Sequence, residues 1–189
     1  YFPRFFFLSN DELLEILSET KDPLRVQPHL RKCFEGIKTV DFQEDLTITG
    51  MESPERERIP FVKVVNPVGK NIESWMGEVR DCMIEGVRDN MYHAVIDYTE
   101  TKRTDWMQKW AGQRVLNGSQ VHWTREVEEE LDTNGNKGAY AYYDKLVQQL
   151  TDMVILIRGD ISKSARVTVG ALAVIDVHAR DVHLTYLTN

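Results

Sequence analysis

The sequence predicts a mainly α-helical fold of long antiparallel helices, with a small antiparallel β-meander near residues 37–65. Three observations predict it. Apolar residues recur with a helical period of about 3.6 over most of the chain. They alternate with polar residues, with a period of two, only between Thr39 and Phe61. Helix caps and helix breakers separate these segments from one another.

Two short helices are predicted before the meander. Ser9 and Glu12 have the spacing of a capping box, in which each side chain bonds the backbone N–H of the other. Asp22 and Pro23 suit the N-cap and the first position of a second helix. Gly36 is a natural residue to end that helix, because glycine readily adopts a left-handed conformation.

Three short strands follow, and one face of each is polar. They are separated by polar turns, and so small a sheet must lean on neighbouring helices to be stable. The apolar members of the alternating runs are Val40 and Phe42, then Leu46 and Ile48, then Ile59 and Phe61.

The clearest boundary in the chain is Asn66-Pro67 together with Gly69. We therefore predict two domains. Residues 1–66 hold the short helices and the sheet, and residues 67–189 form a bundle of long helices.

The bundle begins with two striped helices. A break over residues 99–103 separates them, with Thr104 as a cap, and the Asn134-Gly135 pair ends the second. The stripe residues are Ile72, Met76, Val79, Met83, Val87 and Ala94 in the first helix, and Leu116, Trp123, Val127 and Leu131 in the second.

The last two helices have apolar residues spaced alternately by four and three, which is typical of an antiparallel hairpin with coiled-coil-like packing. Arg158-Gly159-Asp160 makes the turn, with Asp160 as the cap of the final helix. Val167, Ala171 and Val174 lie on another face of that helix, so we expect it to be sandwiched between layers. The seam residues are Ala139, Tyr143, Leu146, Leu150, Met153 and Ile157, then Ile161, Ala165, Thr168, Leu172, Ile175, Ala179, Val182 and Tyr186.

Composition narrows the classes of function. Of the 189 residues, 42% are hydrophobic and 28% are charged, which is ordinary for a globular protein. The net charge of −7 argues against nucleic acid or anionic lipid as a main partner, because both require clustered Lys and Arg. No apolar run approaches the roughly 18 residues of a membrane span. Cys33 and Cys82 are expected to be free thiols in a reducing cytosol.

No motif for nucleotide or metal chemistry is complete. Gly69-Lys70 would suit a phosphate-binding loop, but Val64 stands where the first glycine belongs and Asn71 replaces Ser or Thr. His178 and His183 are separated on a helix by more than about 100°, so they cannot clamp one metal ion. We therefore expect no catalytic residue, no cofactor-binding residue and no metal ligand in this chain. The sequence does not begin with Met, which suggests a fragment of a longer chain.

A dense polar group on the final helix is one candidate contact site. It consists of Asp176, His178, Arg180 and Asp181. The group could be an acid–base cluster, but a docking or ion-pair surface is favoured.

Tryptophans are the other candidate. Trp106, Trp110 and Trp123 lie close together in the sequence, with Trp75 before them. They could form an aromatic groove, although tryptophans at helical spacing are more often core residues that signal large contacts between helices.

At this point the residues resemble a known family. Strings in the same order over essentially the whole chain are similar to the linker of dynein heavy chains: Phe2-Pro3-Arg4-Phe5, Phe7-Leu8-Ser9-Asn10-Asp11, Val26-Gln27-Pro28-His29-Leu30, Trp110-Ala111-Gly112-Gln113 and Trp123-Thr124. The ending from Gly170 to Val182 resembles the stretch before the first AAA+ module. The runs from Phe5 to Asn10 and from Val26 to Cys33 look axonemal rather than cytoplasmic. His183-Leu184-Thr185 departs from the expected continuation.

The resemblance implies a mechanical role. The linker arches over the hexameric AAA+ ring and switches between bent and straight forms as the first module turns over ATP. This chain would be the C-terminal, ring-proximal part of the linker, with the two candidate groups contacting the ring or neighbouring subdomains. ATP and Mg would be bound downstream, beyond Asn189. The partners implied are the ring, other dynein subunits and, indirectly, microtubules, in a cytoskeletal and ciliary or flagellar setting.

Two other classes of function stay open. A helical scaffold segment that docks a separate subunit of the motor would show an apolar patch on its outward face. An enzyme built on the polar group at residues 176–181 would show a concave pocket around strongly perturbed titratable groups.

Overall fold

The computed structural model describes residues 2–18 and 22–188. The described chain contains six α-helices and three strands, and 3-10 turns at Pro3–Phe7 and Pro23–Val26 precede the first two helices. The predicted fold class, mainly α with a small antiparallel meander, is confirmed. The elements are α1 (Asn10–Ser18), α2 (Gln27–Cys33), β1 (Thr39–Phe42), β2 (Ile48–Glu52), β3 (Arg58–Val65), α3 (Ile72–Glu100), α4 (Arg103–Lys109), α5 (Gly112–Arg158) and α6 (Lys163–Thr188).

The described helices include none that is both long enough and apolar enough to cross a bilayer. Contacts divide the chain into two compact units, Tyr1–Asn90 and Met91–Asn189, and the division falls inside α3. The predicted boundary at residue 66 marks a different feature, the change from strand to helix, and the two predicted domains stay a prediction.

The capping box at the start of α1 is confirmed. The Glu12 backbone N–H donates to Ser9 Oγ at 3.3 Å, and the Ser9 N–H donates to Glu12 Oε2 at 2.9 Å. The second predicted helix differs at its end. It stops at Cys33 rather than at Gly36, because Phe34 turns to an extended conformation and buries its ring in the core with 2% exposure.

The meander has the strand order β1-β2-β3, and both pairings are antiparallel. β2 begins two residues later than Leu46, where the prediction placed it. Leu46 has a φ of 64°, and the Asp45 side chain accepts from the Thr47 N–H at 3.1 Å, so this stretch is a tight turn. The sheet packs with α2 and the first half of α3 over one core, which includes Leu30, Ile48 and Met76.

The second unit, Met91–Asn189, is built around a reversal in α5. Gly135 has φ 56° and ψ −138°, which interrupts the helix, so residues 112–134 and 136–158 form two arms that we call the first and second arm of α5. The predicted helix end at Asn134-Gly135 is thereby confirmed. Glu126 on the first arm accepts hydrogen bonds from Tyr142 and Lys145 on the second, which shows that the arms run antiparallel.

The predicted seam between the second arm and α6 is confirmed along most of its length. Ala139, Leu146 and Met153 on the arm, and Leu172 on α6, are each at most 4% exposed. Near the end of α6 the seam shifts to His183, which is 4% exposed, in place of Val182 and Tyr186, which are 45% and 52% exposed. A straight helix of 3.6 residues per turn drifts from a 3.5-residue repeat, which accounts for the shift.

Three details of the helix ends and faces correct the prediction. α4 begins at Arg103 with Lys102 as its N-cap, not at Thr104. The Ser162 hydroxyl, not Asp160, caps α6, since it accepts from the Ala165 N–H at 3.1 Å. The outer face of α6 is uncovered within this chain, because Val167 and Val174 are 69% and 71% exposed.

Two helical glycines provide a matched test of the packing at the reversal. A Cβ at Gly138 would collide with the Glu130 carbonyl oxygen and lie 2.8 Å from Asn134 Cβ, whereas a Cβ at Gly170 on α6 would meet nothing within 4 Å. Gly138→Ala should therefore destabilise the chain by about 1–3 kcal/mol. Gly170→Ala should stabilise it by about 0.5–1 kcal/mol through helix propensity. Urea unfolding followed by circular dichroism would measure both, and a stabilising Gly138→Ala would show that the turn is loosely packed.

Candidate functional site

The polar group predicted on α6 does not form one cluster. Asp176 points inward and is 7% exposed, whereas His178 and Asp181 lie on the exposed side. Arg180 Nη2 donates to Asp181 Oδ1 at 2.7 Å, which makes these two neighbours a surface ion pair. Five residues of helix turn Asp176 and Asp181 to different faces. The group is therefore corrected to one buried carboxylate and a separate solvated pair.

Asp176 forms a buried ion pair with Arg103, the first residue of α4. Arg103 Nη2 donates to Asp176 Oδ2 at 2.7 Å, and the two side chains are only 14% and 10% exposed. The same nitrogen lies 3.5 Å from Ser119 Oγ on the first arm of α5. The pair therefore ties α4 to α6 across 73 residues of sequence, in the middle of the second unit.

The pKa values of Asp176 and Arg103 are both raised, but for different reasons. Burial raises the pKa of Asp176 above its ordinary value, and the Arg103 charge only partly opposes that rise. For Arg103, burial opposes the charged form, but the Asp176 carboxylate and the Tyr98 hydroxyl together raise the guanidinium pKa. Arginine stays protonated in proteins, so the pair is held as two charges whenever the carboxylate is ionised.

A small cavity of about 60 Å³ lies beside the ion pair. Its walls come from the end of α3, the start of α4, both arms of α5 and α6. Tyr98, Trp123, Tyr142 and Leu146 are among its lining residues, and exposed His178 stands at its edge. Its walls are largely aromatic and aliphatic, and the ion pair is the main polar feature.

The three tryptophans of the second unit do not line one groove, and each has a separate role. Trp106 is fully buried, and its indole N–H donates to the Ala94 carbonyl oxygen at 2.8 Å. The Trp110 indole N–H donates to Asp97 Oδ2 at 2.7 Å. Only Trp123 lines the cavity, and its buried Nε1 has no hydrogen-bond partner among the described residues.

Asp97 gathers three donors at the end of α3. It accepts from Trp110 Nε1, from Lys109 Nζ at 2.9 Å and from Thr101 Oγ1 at 2.8 Å. These bonds favour the charged form, with the Trp110 bond contributing most, and they lower the pKa of the Asp97 carboxyl below its ordinary value. Asp97 thereby joins α3 to α4 through the loop between them.

Two buried histidines are structural residues of the second unit. His122 Nε2 lies 2.8 Å from the Val95 carbonyl oxygen, and its ring stacks on Tyr98 with centroids 4.0 Å apart. His183 Nε2 lies 2.7 Å from the Ala139 carbonyl oxygen. Each imidazole therefore donates from Nε2 to a helix carbonyl.

The incomplete phosphate-loop motif lies between β3 and α3. Gly69 has a φ of 73°, and Lys70 Nζ pairs with Glu78 Oε1 at 2.6 Å. No group of three or more His, Cys, Asp or Glu side chains suited to a metal ion occurs within residues 2–18 and 22–188.

Sequence reasoning selected Asp176 but missed its partner. Arg103 stands in the predicted break between two helices, and no periodic pattern marks it as buried. The only indication of a buried cation is Asp176 itself, because a carboxylate on the seam side of α6 requires a partner of opposite charge within the bundle.

Comparison with known proteins gives a consistent result. Residues 1–94 match the family described as "Dynein heavy chain, N-terminal region 2". Dynein axonemal heavy chain 12 of Rattus norvegicus is 50% identical over 184 residues, and dynein axonemal heavy chain 3 of Homo sapiens is 47% identical over 184 residues. The chain belongs to the dynein heavy chain family.

Each alignment covers 96% of this dynein chain, but the chain spans only 6% and 4% of the length of those two relatives. The matched family is an N-terminal region of the dynein heavy chain. The expectation that this chain is the C-terminal, ring-proximal part of the linker is therefore corrected to that broader placement.

The Asp97 site gives a pH prediction for this dynein segment. Because its folded-state pKa is lowered, Asp97 contributes stability that is present above the unfolded-state pKa of about 3.9 and is lost as the pH falls through the lower folded-state pKa. Trp110→Phe removes the largest cause of that shift, so it should flatten the decline in stability below about pH 4. Thermal unfolding between pH 7 and pH 2 would measure the change. Asp97→Asn is the control, and an unaltered acid decline in both variants would exclude this site as its source.

Trp106 and Trp123 form a second matched test, since one indole N–H is bonded and the other is not. Trp106→Phe should destabilise the dynein segment by about 2–4 kcal/mol, because it leaves a cavity and removes a buried hydrogen bond to the Ala94 carbonyl oxygen. Trp123→Phe should cost less than about 1 kcal/mol, because it removes a donor that is buried without a partner. Equal losses of unfolding free energy in the two variants would contradict this assignment.

Proposed function

We propose that this chain is a linker segment of a dynein heavy chain, a stiff helical lever that transmits ATP-driven shape changes of the AAA+ ring into movement along microtubules. The observation that carries the proposal is the continuous buried seam between the second arm of α5 and α6. A long helix alone bends easily, but two helices packed along their length resist bending because bending requires the seam to slide.

The ion pair supports the same role. Arg103 and Asp176 join the start of α4 to the middle of α6, so a displacement of one helix acts on the other. A buried pair is weak evidence for stability, since apolar replacements often stabilise as well. It does set the position of α4 against α6 in this conformation, which a force-transmitting element requires.

We infer the partners and the location of this segment from the family. We propose that the chain has no catalytic site of its own and that ATP and Mg are bound by AAA+ modules elsewhere in the heavy chain. Its partners would be the ring and other dynein subunits, with microtubules contacted only indirectly. The similar proteins are named axonemal heavy chains, so we place this chain in a ciliary or flagellar axoneme.

One observation favours a second candidate, a scaffold segment that docks another subunit of the motor complex. The outer face of α6 exposes Val167 and Val174, together with Ala171 between them. An exposed apolar stripe on a helix marks a contact surface. Val174→Asp separates the two candidates, because it should reduce subunit retention on purified motors if α6 is a docking face and leave it unchanged if α6 only transmits force.

The absence of a nucleotide site is tested directly by ATP binding. The chain should show no saturable ATP binding by calorimetry, because Lys70 is paired with Glu78 and Val64 occupies the first glycine position of the motif. Micromolar binding that is lost in Lys70→Ala would overturn this part of the proposal. Lys63→Ala, which alters an exposed lysine paired with Glu85, is the matched control.

Force transmission is tested in the intact heavy chain. Ala171→Pro should kink α6 at a cost of about 3 kcal/mol or more, because it removes a backbone donor and clashes with the preceding turn. Microtubule gliding should fall far more than ATP turnover, because the ATPase modules keep their own phosphate sites. Ala171→Ser is the control, since this exposed position tolerates a small side chain.

The seam itself is tested by Leu172→Ala, which should cost about 2–5 kcal/mol because Leu172 is fully buried. The decisive quantity is the ratio of gliding velocity to ATPase rate in variants shown to be folded by circular dichroism. If both rates fall by the same factor, α6 merely stabilises the fold and the lever proposal fails.

A further inference from the structure

Arg103 is incompletely satisfied where it lies. Its contact with Asp176 uses one nitrogen, Nη2, although a guanidinium can engage a carboxylate through two parallel bonds. Nε and Nη1 are both buried and have no hydrogen-bond partner among the described residues. Buried donors without acceptors are costly, which favours a rearrangement that gives these nitrogens an acceptor.

The structure provides space for a second position. Arg103 borders the cavity beside Asp176, and it also borders a different cavity of about 120 Å³. That second cavity is lined by Lys102, Thr104, Met107, Gln149 and Asp152 together with Arg103. Gln149 lines both cavities, so the two spaces lie on either side of it.

The second cavity contains its own carboxylate. Asp152 lies on the second arm of α5, is partly buried, and accepts a hydrogen bond from Gln148 Nε2 at 2.8 Å. Arg103 therefore lines one cavity with Asp176 on α6 and a second cavity with Asp152 on α5. A flexible arginine side chain with two unsatisfied nitrogens can exchange one acceptor for the other without leaving the bundle.

We propose that Arg103 exchanges partners between Asp176 and Asp152, and that this exchange lets α6 shift against α4 while the buried guanidinium keeps a carboxylate partner. In the structure the guanidinium is held by α6. When α6 moves, Asp176 moves with it, and Asp152 replaces it as the acceptor. The inference concerns the second unit alone and does not depend on the lever assignment.

The exchange predicts that the effects of substituting Asp152 and Asp176 depend on each other. If either carboxylate can hold Arg103, removing one is tolerated because the other takes over, and removing both leaves a buried guanidinium with no counter-charge. Asp152→Asn should therefore be mild in the native background and severe in an Asp176→Asn background. If Asp176 is the sole partner, Asp152→Asn is silent in both backgrounds.

Hydrogen exchange followed by mass spectrometry on the intact heavy chain measures the local opening of α4 and α6 in each variant, through peptides from these two helices. In each single variant, opening of α4 should stay within about twofold of the native rate. In the double variant it should rise about tenfold. Asp144→Asn, at an exposed carboxylate on the same arm of α5, is the matched control and should leave both peptides unchanged.

Two further variants separate the exchange from general damage. In an Arg103→Met background, Asp152→Asn should be silent whether or not Asp176 is also replaced, because no guanidinium needs an acceptor. If the double variant does not fold, Asp152→Glu still tests the proposal, since its longer side chain favours capture by α5 and should accelerate exchange in α6. An ordered water that satisfied Nε and Nη1 would make Asp152→Asn silent in every background, and that result, or an inert Asp152→Glu, overturns the proposal.

Discussion

The reversal of the chain at Gly135 is the constraint on which the second unit depends. Its φ of 56° and ψ of −138° lie in a region that essentially only glycine occupies. Because the chain turns there, the two arms of α5 run antiparallel and Glu126 meets Tyr142 and Lys145. That placement brings both arms to the walls of the cavity beside Arg103. A continuous helix through this position would leave the ion pair, the cavity and the α6 seam without one of their walls.

Polar groups inside the bundle determine how its helices align. Apolar seams tolerate sliding, because one methyl contact resembles the next. Directed contacts do not, since a shift of one turn breaks the bond from His183 to the Ala139 carbonyl oxygen and the bond from Trp106 to Ala94. The Arg103–Asp176 pair sets the position of α4 against α6 in this conformation. The seam thus supplies burial energy, and these few polar contacts supply a defined position along the helix axis.

Local chemistry made most of the fold predictable, and long-range packing explains what was not. The capping box of Ser9 and Glu12, the meander and the turn at Gly135 each depend on residues close in sequence, and each is found where it was predicted. The cap of α6 was wrong by two residues, because Asp160 and Ser162 are both competent caps and only packing selects one. At the site, the sequence selected Asp176 only as part of a polar group expected to form a docking or ion-pair surface, and its burial was not predicted. Arg103 was not selected, because its partner lies 73 residues away.

The lever that we propose needs stiffness along its length and a place where rearrangement is inexpensive. The two requirements conflict if every buried group is fully satisfied, because then any displacement breaks good contacts. The second unit separates them. Leu172 and Met153 lie in the fully buried seam, whereas two buried nitrogens of Arg103, beside two cavities, have no acceptor among the described residues. If Arg103 exchanges acceptors as we propose, displacement is least costly at the start of α4, where the guanidinium keeps a partner, and most costly along the seam, where packing would open.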